Sequence, residues 1–332
     1  MDIRLIVPGN VRHGSGGNKY NAKLAEHLEA LGAAVETVAV DGDWPVGSPA
    51  DRQRFADALD GGTTVITDGL VASGVPDEVA TAVGNGARVW ILSHMALADH
   101  KALEGKALAA ATGVICPSNH AAGELRARHG HPRIVIARPG TEAAGEASGS
   151  EPPHIIAVAA MLPNKQQTLI VEALASLRDL PWTAALIGSR DADPGYAAGV
   201  RAAVERHGLE GRLAVTGELS GTPLERQWLA ADLSLLVSTS ESFGMVVVES
   251  LAHGVPVLVK EGTGAVEALG SSGAGQAVKI TGPSELAEAI RAWLTDESLR
   301  TEWRHAAMTA RHTLPGWDAT ARTVLDALTT GA

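Results

Sequence analysis

The chain has 332 residues, of which 45% are hydrophobic and 20% charged, and it carries a formal net charge of −11. That length exceeds what one hydrophobic core usually fills, so two domains are expected; the acidic balance argues against nucleic-acid or anionic-membrane partners, whose interfaces carry a basic surplus. A single cysteine, Cys116, excludes an internal disulfide framework and a thiolate-rich metal site.

Met1 leads directly into the β-rich run Ile3 to Val7, with no basic segment, long apolar segment and cleavage site before it, so a cytoplasmic location is expected. No apolar stretch reaches the length of a transmembrane segment. Further runs follow at Val35 to Val40, Thr63 to Thr67, Ala87 to Leu92, Val114 to Cys116 and Arg133 to Ala137. Between them lie helical patterns such as Asn21 to Leu28, which stops near Gly32. Strand and helix in alternation predict a parallel sheet covered on both faces.

Residues 141–153 are small, polar and rich in Pro and Gly, so they read as a linker between a first domain, 1–140, and a second, 154–314. Alternation resumes with His154 to Ala159, Thr183 to Ile187, Arg212 to Thr216, Leu233 to Val237, Val255 to Val259 and Gln276 to Ile280, before three helical segments close the chain. The α/β fold class is therefore two Rossmann-like, doubly wound parallel-sheet domains. Ligands of such sheets bind beyond the carboxyl ends of the strands, so two facing units would create an interdomain cleft.

Several junctions carry candidate chemistry. After the first strand comes His13-Gly14-Ser15-Gly16-Gly17-Asn18-Lys19, where glycine lets a backbone approach a phosphate. A dinucleotide fingerprint competes weakly, since Lys19 stands where the third glycine of G-x-G-x-x-G would fall when counted from Gly14; a plain strand-helix turn is the other reading. Arg12 beside this loop is either a contact to an acidic sugar or a solvated cation. His94 sits at the carboxyl end of the Val89-to-Leu92 run, as a ligand contact or an ordinary capped histidine. Ser118 opens another helix, where it can meet an acceptor or serve as N-cap.

In the second domain, Lys165 follows the first strand, and a lysine at a helix start can neutralise a pyrophosphate. The segment Ser238-Thr239-Ser240-Glu241-Ser242-Phe243-Gly244-Met245-Val246-Val247-Val248-Glu249 runs from a strand end through a loop into a helix. Amides at that helix start carry partial positive charge. Glu241 precedes the helix and Glu249 lies inside it, which lets two carboxylates reach different hydroxyl-bearing parts of one extended molecule. An unrelated loop glutamate and a solvated helix glutamate would give the same spacing. The residues show no clustered metal-ligand set.

Glu241 to Glu249 resembles the Glu-x7-Glu signature of retaining GT-B enzymes, and its flanks resemble glycosyltransferase family 4. The likeness extends over nearly the whole chain, through Asp68-Gly69-Leu70, Arg138-Pro139-Gly140-Thr141, Leu186-Ile187-Gly188-Ser189, Thr216-Gly217 and Ala230-Ala231-Asp232. It implies GT-B architecture, with the C-terminal helix 315–332 crossing back onto the first domain and Trp317 as its packing anchor. It further implies a nucleoside diphosphate sugar as donor, UDP-linked, with no cofactor and no metal, and a small-molecule acceptor. By resemblance Glu241 approaches the sugar hydroxyls, Phe243, Gly244, Met245 and Val246 hold sugar and phosphate, and Glu249 binds the ribose. Lys165 stabilises the leaving diphosphate, and His94 lies near the sugar's primary alcohol.

Gly16 and Gly17 correspond to the family's Gly-Gly loop, Gly188 and Gly217 border the base, and Asn18 and Ser118 join Arg12 as acceptor or sugar contacts. The family's arginine ahead of the lysine is replaced by Ala160, which leaves a second phosphate-binding cation unassigned. The short chain and its Ser-Gly-Gly-Asn loop also resemble small actinobacterial natural-product glycosyltransferases, which implies a natural-product or nucleobase acceptor and points to UDP-glucuronate as donor. A GT-B-like epimerase or phosphorylase, or a catalytically silent sugar-nucleotide-binding protein, is the alternative.

Overall fold

The structure is a computed structural model that describes residues 1–10, 15–97, 99–130 and 133–330. It divides into two compact units, Met1–Gly140 with Pro315–Ala332, and Thr141–Leu314.

The first unit holds a six-stranded sheet in the order β2-β1-β3-β4-β5-β6. Its strands are β1 (Asp2–Pro8), β2 (Ala34–Val40), β3 (Thr64–Asp68), β4 (Arg88–Leu92), β5 (Gly113–Cys116) and β6 (Ile134–Ile136). All neighbours pair in parallel. Covering helices are α1 (Gly16–Ala30), α2 (Pro49–Leu59), α3 (Gly69–Ala72), α4 (Pro76–Gly84), α5 (Lys101–Ala110) and α6 (Asn119–His129). The central strands are buried on both faces and draw mostly on Val, Ile and Leu: every residue of β3 and β5 is buried, the polar Thr64, Thr67 and Asp68 of β3 included.

The second unit repeats the scheme in the order β12-β11-β10-β7-β8-β9. Here β7 is His154–Val158, β8 Thr183–Ile187, β9 Leu213–Gly217, β10 Leu233–Leu236, β11 Val257–Lys260 and β12 Gly275–Val278, again all parallel. Its helices are α7 (Gln167–Ala175), α8 (Pro194–Arg206), α9 (Gly221–Ala230), α10 (Met245–Ala252), α11 (Ala265–Leu269), α12 (Pro283–Thr295) and α13 (Glu297–Ala310). Ile155, Ala157, Leu186, Leu235 and Leu258 project from the sheet into a core closed by Leu174, Val200, Ile290 and Trp293.

Strand order fixes where ligands can gather. In the second unit the chain winds outward from β7 to β9, then restarts on the other side at β10, so β7 and β10 are neighbours whose loops diverge. In the first unit the reversal falls between β1 and β3. These are the topological switch points of doubly wound sheets, where the carboxyl ends open a crevice.

Residues 141–153 are fastened to the second unit by polar contacts. The Ala147 N–H donates to His253 O at 2.9 Å, and Asp232 accepts from the Ser150 and His154 N–H groups at 3.0 and 2.8 Å. The last helix, α14 (Trp317–Thr330), packs in the first unit. Trp317 is buried there, edge-on to Tyr20 at 5.3 Å, and a Cβ at Gly140 would stand 2.2 Å from the Trp317 nitrogen, so only glycine fits. Thr320 Oγ1 donates to Arg138 O at 2.6 Å.

Candidate active site

In the second unit, β7 runs through a bend into a 3-10 turn, Pro163–Lys165, and then into α7. Proline suits the first position of such a turn because its missing N–H is not needed there. Lys165 closes the turn. The loop after β10 lies against it: the Thr239 N–H donates to Asn164 O at 2.8 Å. Lys165 Nζ then meets Glu241 Oε1 at 2.5 Å, so cation and carboxylate face each other across the switch point.

The loop after β11 fixes Glu241 from the other side. The Gly264 N–H donates to Glu241 O at 2.7 Å. A Cβ on Gly264 would stand only 2.1 Å from Ser242 O, so the two backbones meet where no side chain fits. Phe243 is buried. Gly244 is in the left-handed region at φ 88° and turns the chain into α10. The first amides of α10, from Met245 and Val246, have no partner inside the helix and carry its partial positive charge.

On α10, Val247, Val248, Ser250 and Leu251 are buried, whereas Met245, Val246 and Glu249 are half-buried. Glu249 is one turn from Met245, on the same face of α10. At the edge of this region the β8 terminus comes close to the β7 loop: a Cβ on Gly188 would strike Ala159 O at 1.8 Å. Gly217, at φ 83°, lies under the Arg190 guanidinium, whose Nε would be 3.2 Å from an added Cβ. At Ala160 the backbone is used, its carbonyl accepting from Gln167 Nε2 at 2.9 Å.

The first unit has its own cluster. Ser15 caps α1 by accepting from the Asn18 N–H at 3.1 Å, so Gly16, Gly17 and Asn18 form the first turn. A Cβ on Gly17 would be 3.1 Å from His94 Cδ2. His94 follows β4, and its Nε2 lies 3.0 Å from Asn21 Oδ1 and 3.5 Å from Asp68 Oδ2. Asn21 Nδ2 donates to the same Asp68 oxygen at 2.6 Å. A carboxylate only accepts, so the Asn21 amide nitrogen faces Asp68 and its oxygen faces His94, which places a proton on His94 Nε2. In the neutral ring Nδ1 is then an acceptor.

Asp68 is 4% exposed and ends β3 at the switch point of its sheet. Burial alone would raise its pKa, but bonds from His94, Asn21 and the Leu70 N–H outweigh it and hold the carboxyl below its usual value. Tyr20 lies edge-on to His94 at 5.2 Å, and its hydroxyl donates to Ala137 O at 2.7 Å. Burial pushes the Tyr20 phenol up and out of reach of ordinary titration. Sequence pattern does not single out Asn21 as a site residue. Its one signal is the Gly17-to-Asn21 spacing, which puts both on one face of α1.

Ser118 is fully buried as the N-cap of α6, accepting from the Ala121 N–H at 2.9 Å. Cys116 is buried in β5, and burial pushes its thiol up to about 12. Arg12, with His13 and Gly14 of the glycine loop, lies outside the described residues. Among the described residues no group of three His, Cys, Asp or Glu is placed to hold a metal ion, and no helix is long and apolar enough to cross a membrane.

The model of the family described as "Glycosyl transferases group 1" matches residues 141–309, half of the chain and nearly all of the second unit. Over 170 residues the chain is 31% identical to a D-inositol 3-phosphate glycosyltransferase of Jonesia denitrificans, covering 49% of this chain and 39% of that one. A D-inositol 3-phosphate glycosyltransferase of Thermomonospora curvata is 38% identical over 109 residues, 32% of this chain and 25% of that one. The matches thus span well under half the length of these relatives.

Among solved structures, sucrose-phosphate synthase from Thermosynechococcus elongatus superposes with a TM-score of 0.83 at 19% identity, covering 99% of this chain and 98% of that one. Anabaena Alr3699/HepE in complex with UDP-glucose gives 0.81 at 16% identity, covering 99% and 100%. At such identities the likeness is one of fold, the two-domain α/β GT-B architecture.

Proposed function

The chain belongs to the glycosyl transferases group 1 family, and on that premise we propose that it is a retaining transferase moving a sugar from a UDP-linked donor to a hydroxyl or amine of a small acceptor. What carries this reading is the pair at the β7/β10 switch point, Lys165 Nζ and Glu241 Oε1 at 2.5 Å, beside a helix start and eight positions before Glu249. A cation and unpaired amides suit a diphosphate, and the carboxylates suit sugar and ribose hydroxyls. The UDP-glucose complex of the structurally similar HepE supports a UDP-linked donor.

In the proposed reaction the bond from the anomeric carbon to the diphosphate oxygen breaks while the acceptor oxygen or nitrogen bonds to that carbon on the same face. The leaving phosphate takes the acceptor's proton. Negative charge growing on the diphosphate is met by Lys165 and the first amides of α10, stabilisation that increases toward the transition state. Glu241 holds the sugar, Glu249 the ribose, and His94 serves as the family's histidine on the primary-alcohol side. No metal enters this scheme. The relatives' D-inositol 3-phosphate name supports a polyhydroxylated acceptor, and the natural-product acceptor and UDP-glucuronate donor stay as narrower proposals.

Thermal denaturation with a panel of UDP, GDP and ADP sugars tests the reading. A true donor at 100 times its dissociation constant adds about 2.7 kcal/mol of stability. Ala160 favours one other reading, a binder with no turnover, which the same panel would support if stabilisation came without release of the diphosphate.

A further inference from the structure

We propose that Lys260, the last residue of β11, is the second cation of the diphosphate subsite and is held there by Gln166. The assignment rests on the donor reading above and supplies from another strand the charge that Ala160 lacks.

Lys260 stands at the carboxyl end of its strand, and β11 is the neighbour of β10 on the side away from β7. In the register, Leu236 of β10 is opposite Val259, so Lys260 is level with the start of the loop that carries Glu241. Its side chain extends toward the β7 loop, where Nζ lies 3.3 Å from Gln166 Oε1. Gln166 directly follows Lys165. The ammonium group is therefore brought to the turn that carries the first cation.

Its partner is an amide oxygen, which orients the ammonium and leaves its charge uncompensated. Among the described residues no carboxylate pairs with Lys260, whereas Lys165 is paired with Glu241. Lys260 is half-buried, where screening by water is weaker than at the open surface. A half-buried, uncancelled cation at a switch point is suited to an anionic ligand.

Gln166 is the one non-glycine residue among those described with a positive φ, 56° with ψ 33°. Left-handed backbone in a residue with a Cβ is unfavourable, and glycine would adopt it freely. Glycine would also remove the oxygen that accepts from the Lys260 ammonium. Such local strain gathers at ligand sites, and here it coincides with the side chain that anchors the cation.

Titration calorimetry with UDP and with uridine decides the assignment. Lys260→Met keeps the apolar stem and removes the charge, so UDP affinity should fall about 10-fold or more while uridine affinity holds; Lys260→Arg should restore most of the loss. Gln166→Gly relieves the strained backbone, so its thermal midpoint should hold or rise while UDP binding weakens. Unchanged UDP affinity in Lys260→Met, or equal losses for UDP and uridine, would overturn the assignment. A Gln166→Gly variant that binds UDP like wild type would overturn the anchoring role. Wild-type protein that binds no nucleoside diphosphate from a UDP, GDP and ADP panel would instead overturn the donor reading on which both rest.

Discussion

Lys165 and Glu241, 76 positions apart in the chain, meet at 2.5 Å where β7 and β10 part. The pair sets against each other the two groups proposed to hold the donor's diphosphate and the sugar bonded to it, so a bound donor competes with the pair for both. Glu241→Gln frees Lys165 for the diphosphate. UDP affinity should rise, by up to about fivefold, since a partly exposed pair is worth about 1 kcal/mol or less. Turnover should fall, because the sugar loses its carboxylate. Calorimetry with UDP beside steady-state kinetics checks both, and weaker UDP binding in this variant would count against the pairing.

Glu249 should behave differently. On the half-buried side of α10 with Met245 and Val246, it is assigned to the ribose, which UDP and a UDP-sugar share. Glu249→Gln should weaken both ligands alike, each lost charge-assisted hydrogen bond costing about 1.5–3 kcal/mol. A loss confined to the UDP-sugar would move Glu249 to the sugar.

Gly17 separates stability from function. Alanine in the first turn of α1 favours the helix by up to about 1 kcal/mol, but its Cβ would stand 3.1 Å from His94 Cδ2 and push the ring aside. Gly17→Ala should therefore keep or raise the thermal midpoint while turnover falls roughly 2- to 10-fold, a fraction of what a full ångström of misplacement costs. Unchanged turnover would remove His94 from the reaction.

Asp68 predicts a pH dependence. Burial would raise its pKa, yet bonds from His94, Asn21 and Leu70 lower it on balance. The unfolded chain, with a carboxyl near about 3.9, therefore takes up the proton first on acidification. Its stabilisation is present above that value and is lost as pH falls through the lower native one. Urea unfolding of wild type and Asp68→Asn should show a gap of about 1–3 kcal/mol at pH 7 that closes in acid. A gap that widens on acidification would contradict the sign.

Much of the fold is legible in the sequence because parallel strands buried on both faces read as apolar runs: Val89 to Leu92, Val114 to Cys116 and Val257 to Val259 all lie in strands. Strand ends also mark where Lys165, Glu241 and His94 belong. Which of these groups touch is not legible, because contact depends on strand order. The meeting of Lys165 with Glu241 follows from β7 lying beside β10, and that of Asn21, Asp68 and His94 from α1, β3 and β4 converging. The left-handed backbone of Gln166 leaves no trace in residue pattern, since glutamine is an unusual choice for it.

The second unit is proposed to carry a donor site in which Lys165 stabilises a departing diphosphate without a metal. The most direct measurement is UDP release from UDP-sugars after thorough chelation, in wild type and in Lys165→Ala, with circular dichroism to show that both are folded. Slow hydrolysis in the absence of an acceptor suffices as a readout. Release by wild type should persist under chelation and fall at least about 100-fold in the variant, the scale on which single charge-stabilising groups act. Release that vanishes on chelation and returns with Mg²⁺ or Mn²⁺, or a folded Lys165→Ala that turns over like wild type, would contradict it.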